Sequence, residues 1–224
     1  MTRGERDYTQ RVLATVRPMG IIGGRMIRIV DFENLRDSVD DYNADTGIVT
    51  DGDKVFEGDA AGSVTMVAAA TEELDWSFPT STSDIICFEM LYRPAADYPE
   101  DVELRGSIYN GTIYHYPRVR VHYDGANLLL QIWDNTEAWK TIETVGIGAF
   151  TAHWHLLYMK FNMGTGHYEI IQADAIRRNV TDEAYESSSS TGPPYAELSI
   201  RFHALDSSPA TVYFDNIIMS YEEL

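Results

Sequence analysis

The stretch that most restricts the fold is Thr211-Val212-Tyr213-Phe214-Asp215-Asn216-Ile217-Ile218-Met219, near the end of the sequence. It is dense in β-branched and aromatic residues, which suit a pleated, half-buried surface. A lone strand this apolar is not stable in water, so it requires a sheet supplied by the preceding chain. Val212 and Phe214 carry one apolar phase, and Ile217 and Met219 carry the other. A one-residue slip turns every later side chain to the opposite face, so Asp215-Asn216 is expected to form a bulge or bend.

The rest of the chain agrees with a sheet. Ala196, Leu198, Ile200 and Phe202 alternate with Glu197, Ser199, Arg201 and His203, and Val119, Val121 and Tyr123 alternate with Arg118, Arg120 and His122. Each pattern marks a strand with one dry and one wet face. Asp84–Tyr92 is apolar on both sides and belongs in the middle of a packed sheet. Asn110-Gly111 signals a type I′ hairpin between Val102–Tyr109 and Ile113–Tyr116. Asn162–Gly166 joins His153–Phe161 to His167–Gln172, while residues 173–195, with the Ser187–Ser190 run and Pro193-Pro194, read mostly as loop, an excursion over one edge. About a dozen short strands and no long helical period predict an all-β, two-sheet antiparallel sandwich.

With 224 residues and 44% apolar content, the chain can bury one large core. Residues 26–224 read as that domain, and residues 1–25 as an extended N-terminal arm with a short helical turn over Tyr8–Val16. The arm carries Arg3, Arg6, Arg11 and Arg17, although the whole chain has a formal charge of −18. Such an acidic body repels phosphate backbones, so nucleic acid is not an expected partner. A basic arm has two places to dock: its own domain or a neighbouring subunit. The single cysteine, Cys87, excludes an intrachain disulfide and sits in an apolar run, as an inert buried thiol would. No run reaches the ~18 apolar residues of a membrane span. The charged start, with no apolar segment behind it, does not read as a signal peptide, so the expected location is a virion or the cytoplasm.

Four segments together resemble the concanavalin A-like (laminin-G-like, jelly-roll) lectin and glucanase superfamily. They are Val30-Asp31-Phe32-Glu33; Val55-Phe56-Glu57-Gly58 before a small-residue strand; Trp154-His155-Leu156-Leu157 with a glycine hairpin and Tyr168; and Val212-Tyr213-Phe214-Asp215-Asn216-Ile217. The resemblance spans residues 26–221 and implies a jelly roll whose first and last strands lie side by side. It would set Met26–Phe32 against Thr211–Met219. Many activities share this architecture.

The residues supply several candidate chemistries. Retaining glycosidases of the superfamily carry Glu-x-Asp-x-x-Glu, and Glu57-Gly58-Asp59-Ala60-Ala61-Gly62 lacks the third acid. His153 and His155 have strand spacing for a metal pair, but two ligands do not complete a site, and surface or edge histidines are the better reading. Asp31, Glu33 and Asp215 would meet across the first and last strands, where lectin-like modules hold calcium; alternatively Asp215 caps the bulge through backbone amides. Trp139, Tyr116 and Trp133 are the candidate glycan platform, since aromatic faces stack on sugar rings, with core packing as the alternative. No nucleophile elbow, phosphate loop, dinucleotide fingerprint or His-Glu-x-x-His motif is present. The sequence therefore predicts a non-catalytic assembly protein with no assigned metal or cofactor. It would be a virion component (capsid decoration or tail) that contacts itself or other virion subunits through the arm. The alternative is a carbohydrate-binding module that recognises a glycan on its concave sheet.

Overall fold

The computed structural model describes residues 24–30, 41–43, 49–51, 61–78, 83–96, 98–145 and 153–222. Among these residues there is no helix, and the strands form two antiparallel sheets. One sheet runs β14 (Ile176–Asn179), β13 (His167–Ala173), β12 (His155–Asn162), β6 (Ile85–Pro94), β17 (Ala210–Glu222), β4 (Ala61–Met66), β3 (Val49–Asp51), with β1 (Gly24–Val30) also paired to β17. The other runs β11 (Trp139–Thr144), β10 (Leu128–Trp133), β9 (Arg118–Tyr123), β7 (Asp101–Tyr109), β16 (Tyr195–His203), β5 (Thr71–Phe78), β2 (Asp41–Asn43). To it β8 (Ile113–His115) and β15 (Ser187–Ser189) add a short extension beside β7.

The two inner faces make one core. Phe88, Met90, Phe161, Val212 and Phe214 of the first sheet share a buried cluster with Trp76, Leu104, Val121, Leu130 and Phe202 of the second. Each such side chain contributes about 1.5–3 kcal/mol on burial. Phe202 and Phe214 meet across the layers with ring centroids 5.6 Å apart. Gly106 allows this packing, since a Cβ there would sit 2.7 Å from the Phe88 ring.

β17 holds the first sheet together. Its N-terminal half pairs with β4 and its C-terminal half with β1, while β6 lies along the other side. The register slips between Asp215 and Ile218, and Asn216 has a φ of 50°. The Asn216 amide donates to the Asp215 carboxylate at 2.8 Å, so the bulge is capped within the strand itself. The expected pairing of first and last strands is present. Its register is Gly24–Val30 against Ile217–Glu222, further toward the C-terminus than the resemblance implied. β6, apolar on both faces, is flanked by β12 and β17.

Two local readings are corrected. Asn110-Gly111 does turn the chain, but of the two only Gly111 has positive φ, whereas a type I′ turn needs both. The Asn110 side chain instead accepts the Thr112 and Ile113 amides, closing a longer Asx-type loop. Residues 173–195 are not simply loop: they contain β14 and β15, and the serine run pairs Ser187–Ser189 with Ile113–His115. The arm residues Arg3, Arg6, Arg11 and Arg17, and the helical turn expected over Tyr8–Val16, lie outside the described residues.

Candidate functional site

The outward face of the nine-stranded sheet is where the chemistry collects. Alternation sends Leu74, Leu104, Val119, Val121, Leu130 and Ile200 inward, so their neighbours Glu73, Glu103, Arg105, Arg118, Arg120, Gln131 and Arg201 turn outward. Register then lines these residues up in rows across the strands. One row reads Glu73, Arg201, Glu103, Arg120, Gln131, Thr141 from β5 to β11. The next reads Asp75, Ser199, Arg105, Arg118.

The rows are tightly cross-linked. Arg105 pairs with Glu73, and its Nε lies 3.1 Å from Glu103, which Arg201 approaches from the other side at 3.8 Å. Arg120 donates from Nε to Gln131 at 2.7 Å and pairs with Asp101 at 3.0 Å; the Gln131 amide then donates to the Thr141 hydroxyl at 2.9 Å. Burial pushes the Glu103 carboxyl above its ordinary 4.5, against the opposing pull of Arg105, Arg201 and Arg118. Desolvation lowers the pKa of Arg118 and Arg120, and the carboxylates beside them oppose the shift. The face thus offers fixed donors and acceptors in alternation, without an excess of either charge.

Aromatic residues border this grid. Trp133 and Trp139 form a cross-strand pair with centroids 5.2 Å apart. Arg118 lies 5.0 Å from the Trp133 ring centre and Arg120 lies 4.1 Å from that of Trp139. Each indole face so covered orients a guanidinium by cation–π attraction and is not open to a sugar ring. At the other end Tyr195, Tyr109 and Tyr114 are successive partners across β16, β7 and β8. Tyr116 stacks on Tyr114 at 5.9 Å and 19°, and Tyr195 is 38% exposed. Of these aromatic residues Tyr195 is the exposed one, Tyr109 is buried beneath its neighbours, and Tyr114, Tyr116, Trp133 and Trp139 are half-buried.

Glu186 joins the two aromatic groups. Its carbonyl accepts the Tyr116 amide at 3.0 Å, and its carboxylate accepts the Trp133 indole N–H at 2.7 Å and lies 3.7 Å from Arg118. Trp139, Tyr116 and Trp133 are thereby brought to one face. The sequence missed Glu186, Arg105, Glu103 and Arg201. A signal was there for the last, in the alternation of β16.

The remaining candidates resolve differently. His155 opens β12, is buried, pairs with Asp174 at 2.8 Å and packs on Tyr92 at 5.3 Å. His153 precedes the strand and is exposed, so the two do not share a strand face. Asp215 is fully buried at the bulge; Asp31, Glu33 and residues 57–59 lie outside the described residues. Cys87 is a buried thiol, with the Tyr158 hydroxyl 3.3 Å from its sulfur.

No family model matches the sequence, and no curated protein matches it. Solved structures do resemble it. A conserved carbohydrate esterase from the Shiga toxin-encoding bacteriophage phi24B superposes with a TM-score of 0.62 at 11% identity, covering 90% of this chain and 100% of its own. An endo-β-1,4-glucuronan lyase from the fungus Trichoderma reesei gives 0.57 at 12%, covering 88% and 96%. The carbohydrate recognition domain of Emp47p gives 0.54 at 10%, covering 87% and 95%. Two of these three are enzymes by name, which overturns the expectation of a non-catalytic protein: that expectation rested on the absence of a set of catalytic motifs, and proteins of this fold carry other glycan chemistries. Among the described residues no helix is long and apolar enough to cross a membrane. The two-sheet topology, the paired terminal strands and these superpositions make the chain a concanavalin A-like jelly-roll sandwich.

Proposed function

We propose that this protein recognises a glycan on the outward face of its nine-stranded sheet. The observation that carries the reading is the juxtaposition, through Glu186, of a tyrosine group, exposed at Tyr195, with an arginine–carboxylate grid. A sugar has apolar C–H faces and a rim of hydroxyls that both donate and accept. Tyr116 and Tyr195 suit the faces, and Arg105, Arg118, Glu103 and Gln131 suit the rim. Carbohydrate chemistry in the names of the proteins sharing this fold supports the same reading. Hydroxyl, imidazole and carboxyl groups stand on this face within reach of a bound sugar: the tyrosine hydroxyls, and the His122–Asp101 pair, 2.8 Å apart.

The finer part of the proposal is that the protein is a virion component presenting this face, with the basic segment over residues 1–25 joining it to acidic surfaces of itself or of other subunits. The phage origin of one protein of the same fold supports that setting. The test is affinity electrophoresis of the full chain through gels containing polyuronates or neutral β-glucans, with product assays on the same polymers. We expect retardation by at least one polymer and about tenfold weaker retention for Tyr116→Ala and for Arg118→Ala. Passage unretarded through every gel, or retention of both variants equal to that of the wild type, would refute the reading.

A further inference from the structure

At one end of the same face four potential ligands converge from three strands and a loop. His203, Asp101 and His122 are successive cross-strand partners on β16, β7 and β9. Neighbouring strands stand about 4.8 Å apart, so both imidazoles lean onto the strand between them. His122 Nδ1 lies 2.8 Å from Asp101 Oδ1, and His203 Nδ1 lies 3.9 Å from Asp101 Oδ2 and 3.5 Å from Glu100 Oε2. Glu100 would face the other side if it were a residue of β7. It precedes the strand, and its backbone carbonyl is held by the Tyr123 amide at 2.7 Å, which leaves its side chain on the Asp101 side. Ligand atoms of Glu100, Asp101 and His122 all lie within 4.8 Å of one another.

We propose that Glu100, Asp101, His122 and His203 form a binding site for a borderline divalent cation such as Zn²⁺. Imidazole nitrogen with carboxylate oxygen is the donor set that such ions prefer. Ligand atoms on one tetrahedral ion stand about 3.3 Å apart, given metal–ligand bonds of about 2.0–2.1 Å. Glu100, Asp101 and His122 form the compact group, and His203, 3.5 Å from Glu100 and 3.9 Å from the other oxygen of Asp101, would turn in as the fourth ligand. All four side chains are partly exposed, so an ion can enter without unfolding the sheet. Arg120 also lies 3.0 Å from Asp101, but it has Gln131 and the Trp139 ring as further partners, so it keeps its place when the carboxylate turns to a metal. The ion would neutralise the charge of two adjacent carboxylates, Glu100 and Asp101, beside which Arg120 supplies one cation.

The site does not depend on the glycan reading. The full chain, stripped with a chelator, is titrated calorimetrically with ZnCl₂, and separately with CaCl₂; Co²⁺ absorption reports the coordination number. We expect one Zn²⁺ site per chain, four-coordinate Co²⁺ bands and little heat from Ca²⁺. His122→Gln and His203→Gln should each weaken Zn²⁺ at least tenfold while circular dichroism stays unchanged. Three results would overturn the assignment: no Zn²⁺ uptake, a preference for Ca²⁺, or variants that bind Zn²⁺ as the wild type does. The last would place the ion elsewhere on the acidic surface. Should either variant fail to fold, Glu100→Gln, which alters an oxygen ligand outside the strands, must weaken Zn²⁺ instead, and unchanged binding would likewise refute the site.

Discussion

The outward faces of the two sheets are built from the same alternation and have opposite characters. On the eight-stranded sheet Cys87, Leu91, Trp154, Leu156 and Tyr158 form a second buried apolar cluster, with Ile170 and Tyr213 packed against it. On the nine-stranded sheet the equivalent positions hold Glu103, Arg105, Arg118, Arg120 and Gln131, each engaged with a neighbour. An apolar cluster stabilises without specifying a ligand. A partly buried polar grid incurs desolvation and stays only if its groups satisfy one another or something they bind. The second face is therefore the one with a function to look for.

The largest effect expected from this contrast is on the apolar side. Leu91→Ala should lower the unfolding free energy by about 2–5 kcal/mol through lost burial and a cavity, measured by urea denaturation, and should leave glycan retention unchanged. Glu186→Ala comes next. It leaves the Trp133 indole N–H without its acceptor and removes the carboxylate beside Arg118, at about 1–3 kcal/mol of stability. It should also weaken glycan retention because Trp133 and Arg118 lose their common anchor, while the Tyr116 amide keeps the backbone carbonyl of residue 186. Tyr195→Ala should change stability by no more than about 0.5 kcal/mol, as an exposed residue, while reducing glycan affinity by roughly tenfold.

The smallest expected effect is electrostatic. The folded pKa of Glu103 is raised by burial, so the folded state is favoured when it is protonated and loses that advantage as pH rises through the raised value. Relative to wild type, Glu103→Gln should gain stability as pH increases upward from 4.5, its ordinary value. Denaturation curves at several pH values would show this as a widening gap. A gap that narrows with pH would mean that the arginines outweigh desolvation.

Much of the fold was readable because single strands announce themselves. β16 and β9 show clean alternation, β6 shows a double-sided apolar run, and the phase change at Asp215-Asn216 located the bulge. β15 was not readable. Serine has little strand preference, and Ser187–Ser189 is extended only because β8 offers it a ladder. The site was half readable for a related reason. Trp133, Trp139 and Tyr116 stood out as aromatic, but the rows they border depend on register between strands far apart in sequence, such as Arg201 with Glu103. No local pattern encodes that. The same holds for the indole partner, Glu186, which sat in a stretch that read as loop. The expectation of no catalysis failed for a different reason: the lack of a few known motifs says little about a fold that hosts several chemistries.

The most direct test compares glycan retention by three forms of the full chain: wild type, the Arg118→Ala/Tyr195→Ala double variant, and Leu91→Ala. Loss of retention in the double variant, with wild-type retention in Leu91→Ala despite its lower stability, is the expected result. Retention that survives the double change but disappears with Leu91 would contradict the account and move the ligand to the opposite sheet.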